Sequence, residues 1–332
     1  MFPRGPADRL MFRSAGARRS LERTPSSINI SLRWSESQLN GRRRVTILHR
    51  ETARDLSGQL SFAISLPLKF NPHEERSGLL NFVIQTARDA GGVLIDRLGR
   101  AQVSNKGDID LVTEDDLAAE KLIIERIKSH YPRHAILAEE SGASVELEGK
   151  SDWKWIIDPL DGTTNYAHGY PCFCVSIAVE HAGVIELGVV YDPIRDEMFA
   201  AERGQGATLN ERPMRVSVVA ELNSAMLCTG FPYNVRERPD FARDFINFTM
   251  NAQAVRRDGS AALDLAYLAC GRFDGFWEDG LNPWDVAAGV LLIEEAGGRV
   301  TDYRGAPLDI YTPKVLATNG RVHDAMMRLL NR

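Results

Sequence analysis

Asp158-Pro159-Leu160-Asp161-Gly162-Thr163-Thr164-Asn165 is the run on which the reading of this chain turns. The apolar stretch Trp153 to Ile157 leads into it and predicts a strand that delivers Asp158 at its end. Pro159 stiffens the exit, and Asp161 returns three residues later, so both carboxylates can face one point. Hard oxygen ligands clustered in this way suit Mg²⁺, with no thiolate or imidazole at hand to favour zinc. Gly162 permits close backbone approach, while Thr163 and Thr164 offer hydroxyls and N–H groups at an expected helix start, which suits a phosphate. The same residue types also build an Asx turn followed by a helix cap, so the run alone leaves both readings open.

Around this run, short apolar stretches end in acids. Ala135 to Ala138 leads into Glu139-Glu140, and Phe173 to Val179 and Val184 to Tyr191 predict adjoining strands. Upstream, Leu79, Val83, Ala87, Ala90, Leu94 and Leu98 fall at helical spacing from a start near Ser77. Thr113-Glu114-Asp115-Asp116 reads as a cap with acids in the first turn, opening a helix that Tyr131-Pro132 stops. Further elements are a strand near Ala225 to Thr229, helices over Ser260 to Ala269 and Pro283 to Ala296, and a last helix after His323. Helices interleaved with strands imply a layered α/β domain.

The 332 residues are 44% hydrophobic and 26% charged, which excludes collagenous and fully disordered chains. Apolar runs such as Phe173 to Val179 are far too short to cross a bilayer, so no membrane partner is expected. The net charge of −5 hides an asymmetry: residues 1–54 hold twelve Arg against four acids, a balance of +8, leaving −13 on the rest. By charge alone that acidic body is a poor nucleic-acid binder. Residues 1–72, with no sustained period, read as an Arg-rich, mostly disordered extension, and residues 73–332 as the folded body. No apolar segment fit for a secretory signal follows the early arginines, whereas a transit peptide is compatible with an Arg-rich, acid-poor leader. Four cysteines are too few for a disulfide framework and fit a reducing cytoplasm; Cys172 and Cys174 read as small strand residues, since no second cluster accompanies them.

Three further acidic sites are individually weak. Glu139-Glu140 would ordinarily be a solvated loop, Asp285 in Asn282-Pro283-Trp284-Asp285 sits at the third helical position, where acids are common, and Asp116 lies in a first turn. Together with the central run they change weight. Asp158 to Asn165, the preceding Glu139-Glu140-Ser141, and Trp284-Asp285-Val286-Ala287 followed by Glu295-Ala296-Gly297-Gly298 resemble the motifs of the inositol monophosphatase family, in order, from about Ser77 to the C-terminus.

The resemblance implies a layered αβαβα sandwich of the inositol monophosphatase and fructose-1,6-bisphosphatase type, two or three Mg²⁺ ions, lithium sensitivity and a homodimer. Position by position it implies a first ion on Glu139, Asp158 and the Leu160 carbonyl, a second on Asp158, Asp161 and Asp285, and a weaker third on Glu139. Asp116 matches the acid that orients Thr163, and the pair holds the attacking water. Gly162 and Thr163 match a phosphate cradle; Gly259, Ser260, Ala261 and Glu278 match positions facing the alcohol. Such chemistry needs no nucleophilic Ser, Cys or His, because paired metals neutralise the phosphate and activate water. One departure lies at Asn105-Lys106-Gly107-Asp108, where the lysine stands unusually close to Asp110-Leu111-Val112-Thr113. The expected reaction is hydrolysis of a small phosphate monoester, inositol monophosphate first. Alternatives are histidinol phosphate, fructose 1,6-bisphosphate or 3′-phosphoadenosine phosphate as substrate, or an idle fold serving as a binding module. Glu278 follows an aromatic segment and reads either as a substrate contact or as a surface acid.

Overall fold

The computed structural model describes residues 33–39, 42–48, 72–100, 103–105, 111–142, 151–232, 239–312 and 314–331. It divides into two units, residues 1–68 and residues 69–332. In the first, β1 (Arg33–Leu39) and β2 (Arg42–Leu48) pair antiparallel from Arg33 opposite Leu48 to Leu39 opposite Arg42. This hairpin lies within the leader that the sequence reads as mostly disordered. Two seven-residue strands separated by two residues need only local backbone pairing, which a search for sustained apolar periodicity does not detect.

The second unit opens with α1 (Pro72–Arg97), five residues earlier than the apolar stripe suggests, because its first turn carries polar residues. A ribbon of β3 (Val103–Asn105) and β4 (Leu111–Thr113) follows; Lys106 and Asp108 lie outside the described residues. Thr113 caps α2 (Glu114–His130): its hydroxyl faces the Asp115 and Asp116 N–H groups, and the Asp116 carboxylate accepts the Thr113 N–H at 2.8 Å.

The next seven strands form one sheet: β5 (Ala135–Ala138), β6 (Trp153–Asp161), β7 (Cys174–His181), β8 (Val184–Asp192), β9 (Glu197–Glu202), β10 (Gly206–Leu209) and β11 (Arg212–Pro213), with α3 (Thr163–Ala167) between β6 and β7. Neighbours follow sequence order, and only β5 and β6 run parallel. The turns that fold the meander take left-handed backbone at Ala182-Gly183 and Asn210-Glu211, as two-residue hairpins require. One expectation is corrected here: β6 does not end at Asp158 but runs to Asp161, with a register shift between those residues. Pro159 sits at that irregularity, where no ladder N–H is needed.

A second sheet has the order β13-β12-β14-β16-β15, built from β12 (Met226–Thr229), β13 (Ala254–Arg256), β14 (Gly275–Asp279), β15 (Arg299–Thr301) and β16 (Lys314–Thr318). Interleaved with these are α4 (Pro239–Asn251), α5 (Ala261–Ala269), α6 (Pro283–Glu295) and α7 (His323–Leu330). Helices α1 and α2 cover one face of the first sheet; α5 and α6 lie between the two sheets; α4 and α7 cover the outer face of the second. The result is the expected αβαβα sandwich. β7 is buried along both faces except at His181, which explains its continuous rather than alternating apolar character.

The middle helices approach closely. A Cβ at Gly188 in β8 would lie 2.8 Å from the Ala288 carbonyl oxygen of α6, and one at Gly289 would lie 2.5 Å from the Leu265 Cβ of α5. Small residues thus let the helix that carries Asp285 seat directly on the sheet that carries Asp158.

Candidate functional site

Four chain segments converge where the sheet ends meet the middle helices. β6 supplies Asp158 and Asp161; β5, parallel beside it, ends so that Glu139 follows with its N–H 3.2 Å from the Ile157 carbonyl; α6 begins with Asp285 in its first turn. The Asn282 N–H donates to Asp285 Oδ2 at 2.7 Å, which fixes that side chain as the helix starts. Asp161, at the end of its strand, is held by the start of a helix far along the chain: its Oδ2 accepts the Ser260 hydroxyl at 2.6 Å and the Ala262 N–H at 2.7 Å, capping α5. Asp158 Oδ1 accepts the Leu160 N–H at 3.0 Å.

Asp158, Asp161 and Asp285 each place a carboxylate oxygen within 4.8 Å of the others. Burial drives the Asp158 carboxyl well above its usual pKa, and the charges of Glu139, Asp161 and Asp285 push further in the same direction. Asp161 is raised by burial although the Ser260 hydroxyl and the amides of Ala262, Ala261 and Leu263 oppose the shift. Asp285 is raised by burial and then by Asp161. These acids resist ionising together in the bare protein, and a hard divalent cation among them would reverse that penalty. The donor set is all oxygen. Cys174 comes within 3.8 Å of Asp161 Oδ2, but burial raises its thiol well above the ordinary range, so it stands as a protonated donor rather than a thiolate ligand.

Gly162 follows with φ +97°, and a Cβ there would lie 2.9 Å from the Cys172 carbonyl oxygen, so a side chain is excluded on both counts. That turn starts α3 at Thr163. The Thr163 hydroxyl is 3.1 Å from Asp116 Oδ1 and 3.1 Å from the Leu160 carbonyl oxygen, and its single proton serves one of them at a time. Burial raises the Asp116 pKa against the hydrogen bonds it accepts.

A cavity of about 390 Å³ opens over these groups, within the size range of small-molecule sites. Glu139, Asp158, Leu160, Asp161, Asp285, Gly162, Thr163, Gly259, Ser260, Ala261 and Glu278 all line it. Asp116 does not; it stands behind Thr163. Glu278 is buried in β14 rather than on the surface, and burial lifts its pKa to about 8 despite the Arg257 guanidinium. Gly230 leaves room for it, since a Cβ there would collide with both Glu278 carboxylate oxygens.

Arg257 and Asp264 also line the cavity and were not singled out from sequence. Asp264 had a legible signal, being the one charged residue in the apolar helix Ala-Ala-Leu-Asp-Leu-Ala-Tyr-Leu-Ala. It is 1% exposed, its Oδ1 has no partner among the described residues, and burial raises its pKa well above normal. The Asn165 amide spans the Cys172 and Asp258 carbonyls at 2.7 and 2.8 Å, tying the α3 turn to the loop that precedes α5.

The model of the family described as "Inositol monophosphatase family" matches residues 75–332. An inositol-1-monophosphatase of Synechocystis sp. is 46% identical over 264 residues, covering 79% of this chain and 91% of that protein. The protein named Nus factor SuhB of Escherichia coli is 48% identical over 257 residues, covering 75% and 94%. Among solved structures, an inositol monophosphatase from Anabaena (Nostoc) superposes with a TM-score of 0.71 at 49% identity, covering 77% of this chain and 96% of that one. The extragenic suppressor protein suhB of Bartonella henselae gives 0.73 at 42% identity, covering 77% and 99%. Motif, sandwich and acid cluster therefore agree with the match along the chain, and the protein belongs to the inositol monophosphatase family.

Proposed function

We propose that this phosphatase hydrolyses inositol monophosphate to inositol and phosphate in a Mg²⁺-dependent reaction. The observation that supports it best is the convergence of Glu139, Asp158, Asp161 and Asp285 on one cavity that Glu278 and Ser260 also line. Glu139, Asp158 and the Leu160 carbonyl would hold one Mg²⁺, and Asp158, Asp161 and Asp285 a second. Bound there, the ions supply charge neutralisation of the phosphate and a water of lowered pKa. The chain's own groups do the rest. Thr163, buttressed by Asp116, orients the water; Gly162, with no side chain, lets the phosphate approach the backbone; Glu278 and the Gly259-Ser260-Ala261 turn meet the hydroxyls of the alcohol.

A parallel kinetic panel of inositol 1-phosphate, histidinol phosphate, fructose 1,6-bisphosphate and 3′-phosphoadenosine phosphate tests the reading. Inositol 1-phosphate is expected to give the highest kcat/KM, chelator to abolish turnover, and Mg²⁺ but not Ca²⁺ to restore it, Ca²⁺ being larger and looser in coordination. Full turnover in excess chelator would sink the metal mechanism; preference for another compound would reassign the substrate.

We also propose that residues 73–332 are the catalytic domain and residues 1–72 an extension outside the chemistry. Deleting residues 1–71 is expected to leave kcat/KM for inositol 1-phosphate and the melting temperature unchanged. A large loss of either would place part of the leader in the enzyme.

A further inference from the structure

Helix α2 buries three acids, Asp115, Asp116 and Glu120. Acids are almost never buried without partners, so each calls for an explanation. Asp115 holds α3 and α1: its Oδ2 lies 2.9 Å from the Tyr166 hydroxyl and its Oδ1 3.1 Å from Arg97 Nη1. Asp116 holds Thr163. The third is Glu120, one turn beyond Asp116 on the same helix face and 4% exposed. Its Oε2 accepts the backbone N–H of Glu140 at 2.8 Å, across twenty residues of sequence.

That amide belongs to the residue immediately after Glu139. The turn carrying Glu139 is therefore fastened on both sides, by its own N–H to the Ile157 carbonyl at 3.2 Å and by the next N–H to Glu120. Helix formation does not require a carboxylate here. The neighbours Ala119 and Ile123 are fully buried and apolar, and an apolar side chain would fill the position without the cost of burying an acid.

We propose that Glu120 is a positioning residue that presents the Glu139 carboxylate to the cation, so that α2 sets both the direction of the attacking water and the affinity of the metal site. This rests on the metal reading above. A ligand at the free end of a strand would lose conformational freedom each time an ion bound, and a carboxylate that orders its backbone beforehand removes that cost.

The test uses the full chain, stripped of metal, and its Glu120→Ala, Glu120→Gln and Glu139→Gln variants. Mn²⁺ binding is followed by calorimetry and exchange of the Glu140 amide by hydrogen-exchange measurement. Glu120→Ala is expected to weaken Mn²⁺ binding by about tenfold or more and to speed exchange of that amide, while KM for substrate at saturating Mg²⁺ stays within about twofold. Glu120→Gln, whose amide oxygen still accepts the bond, should restore both readouts. Mn²⁺ affinity unchanged in Glu120→Ala overturns the proposal, and so does Glu120→Gln as weak as Glu120→Ala, because charge and not the hydrogen bond would then be acting. Should Glu120→Ala fail to fold, Glu120→Asp, one methylene too short to reach, takes its place in the same comparison. Failure of the underlying reading looks different: a parent chain that binds no Mn²⁺, or a Glu139→Gln variant that binds it as the parent does, removes the site itself.

Discussion

Changing Thr163 to Ala and Asp116 to Asn in one chain is expected to cost hardly more activity than either change alone. Each single change should lower kcat by about 10²-fold or more, near 3 kcal/mol of transition-state stabilisation, with little change in substrate binding. The geometry gives the reason. The Thr163 hydroxyl is too weak an acid to be a base, but 3.1 Å from Asp116 Oδ1 it can lean its proton toward a carboxylate whose proton affinity burial has raised. Removing either member removes the unit, and effects within a unit do not multiply. Asn is the right replacement because the other carboxylate oxygen accepts the Thr113 N–H at 2.8 Å and so caps α2; an amide oxygen keeps that bond, whereas Ala would mix lost capping with lost chemistry. Losses that multiply in the double variant would show that the two residues act independently.

Asp158→Asn is expected to be the most damaging change among the acids, and to move stability in the opposite direction from activity. Asp158 is the one acid placed between both proposed ions, so its loss should lower kcat by more than Glu139→Gln or Asp285→Asn does. Glu140→Gln, one residue past the proposed ligand, should be mild. In the metal-free protein the sign reverses. Burial first, then Glu139, Asp161 and Asp285, hold the folded-state pKa of Asp158 above its unfolded value. For an acid so shifted, folding stability falls as pH rises from the unfolded pKa through the folded one, and the penalty is present at neutral pH. The amide removes that penalty while keeping an oxygen for the Leu160 N–H. Calorimetric scans in chelator should therefore show Asp158→Asn melting above the parent, with Mg²⁺ raising the parent far more than the variant. A variant that melts lower in chelator, or turns over normally, would contradict this account.

The elements that bracket the site were legible because each carries a local signal. β5 falls on the predicted residues, and α2, α5 and α6 begin within a residue of their predicted starts, where Thr113, Ser260 and Asn282 mark the caps. The strands β9 to β11 were not, since they are short and their turns depend on left-handed backbone at residues that are not glycine, as at Asn210 and Glu211. Sequence brought Asp116 and Thr163 together only through resemblance; 47 residues separate them, and no spacing rule spans that distance. Glu120 and Arg257 escaped because an acid on a helix and an arginine in a loop are ordinary until the Glu140 amide is seen against the one and the cavity beside the other.

The pair α5 and α6 is the middle layer of the sandwich, sealed to β8 at Gly188 and to itself at Gly289. Neither sheet has an inner face of its own; each is covered by the same two helices. Peeling one sheet away strips cover from the other, so the two cannot melt in sequence and residues 69–332 open as one cooperative block. Asp161 and Asp285 stand at the leading ends of those same helices, so whatever occupies the site resists that opening for the whole block at once. If the site holds cation and phosphate as proposed, resistance to proteolysis is expected to rise with the concentration of either.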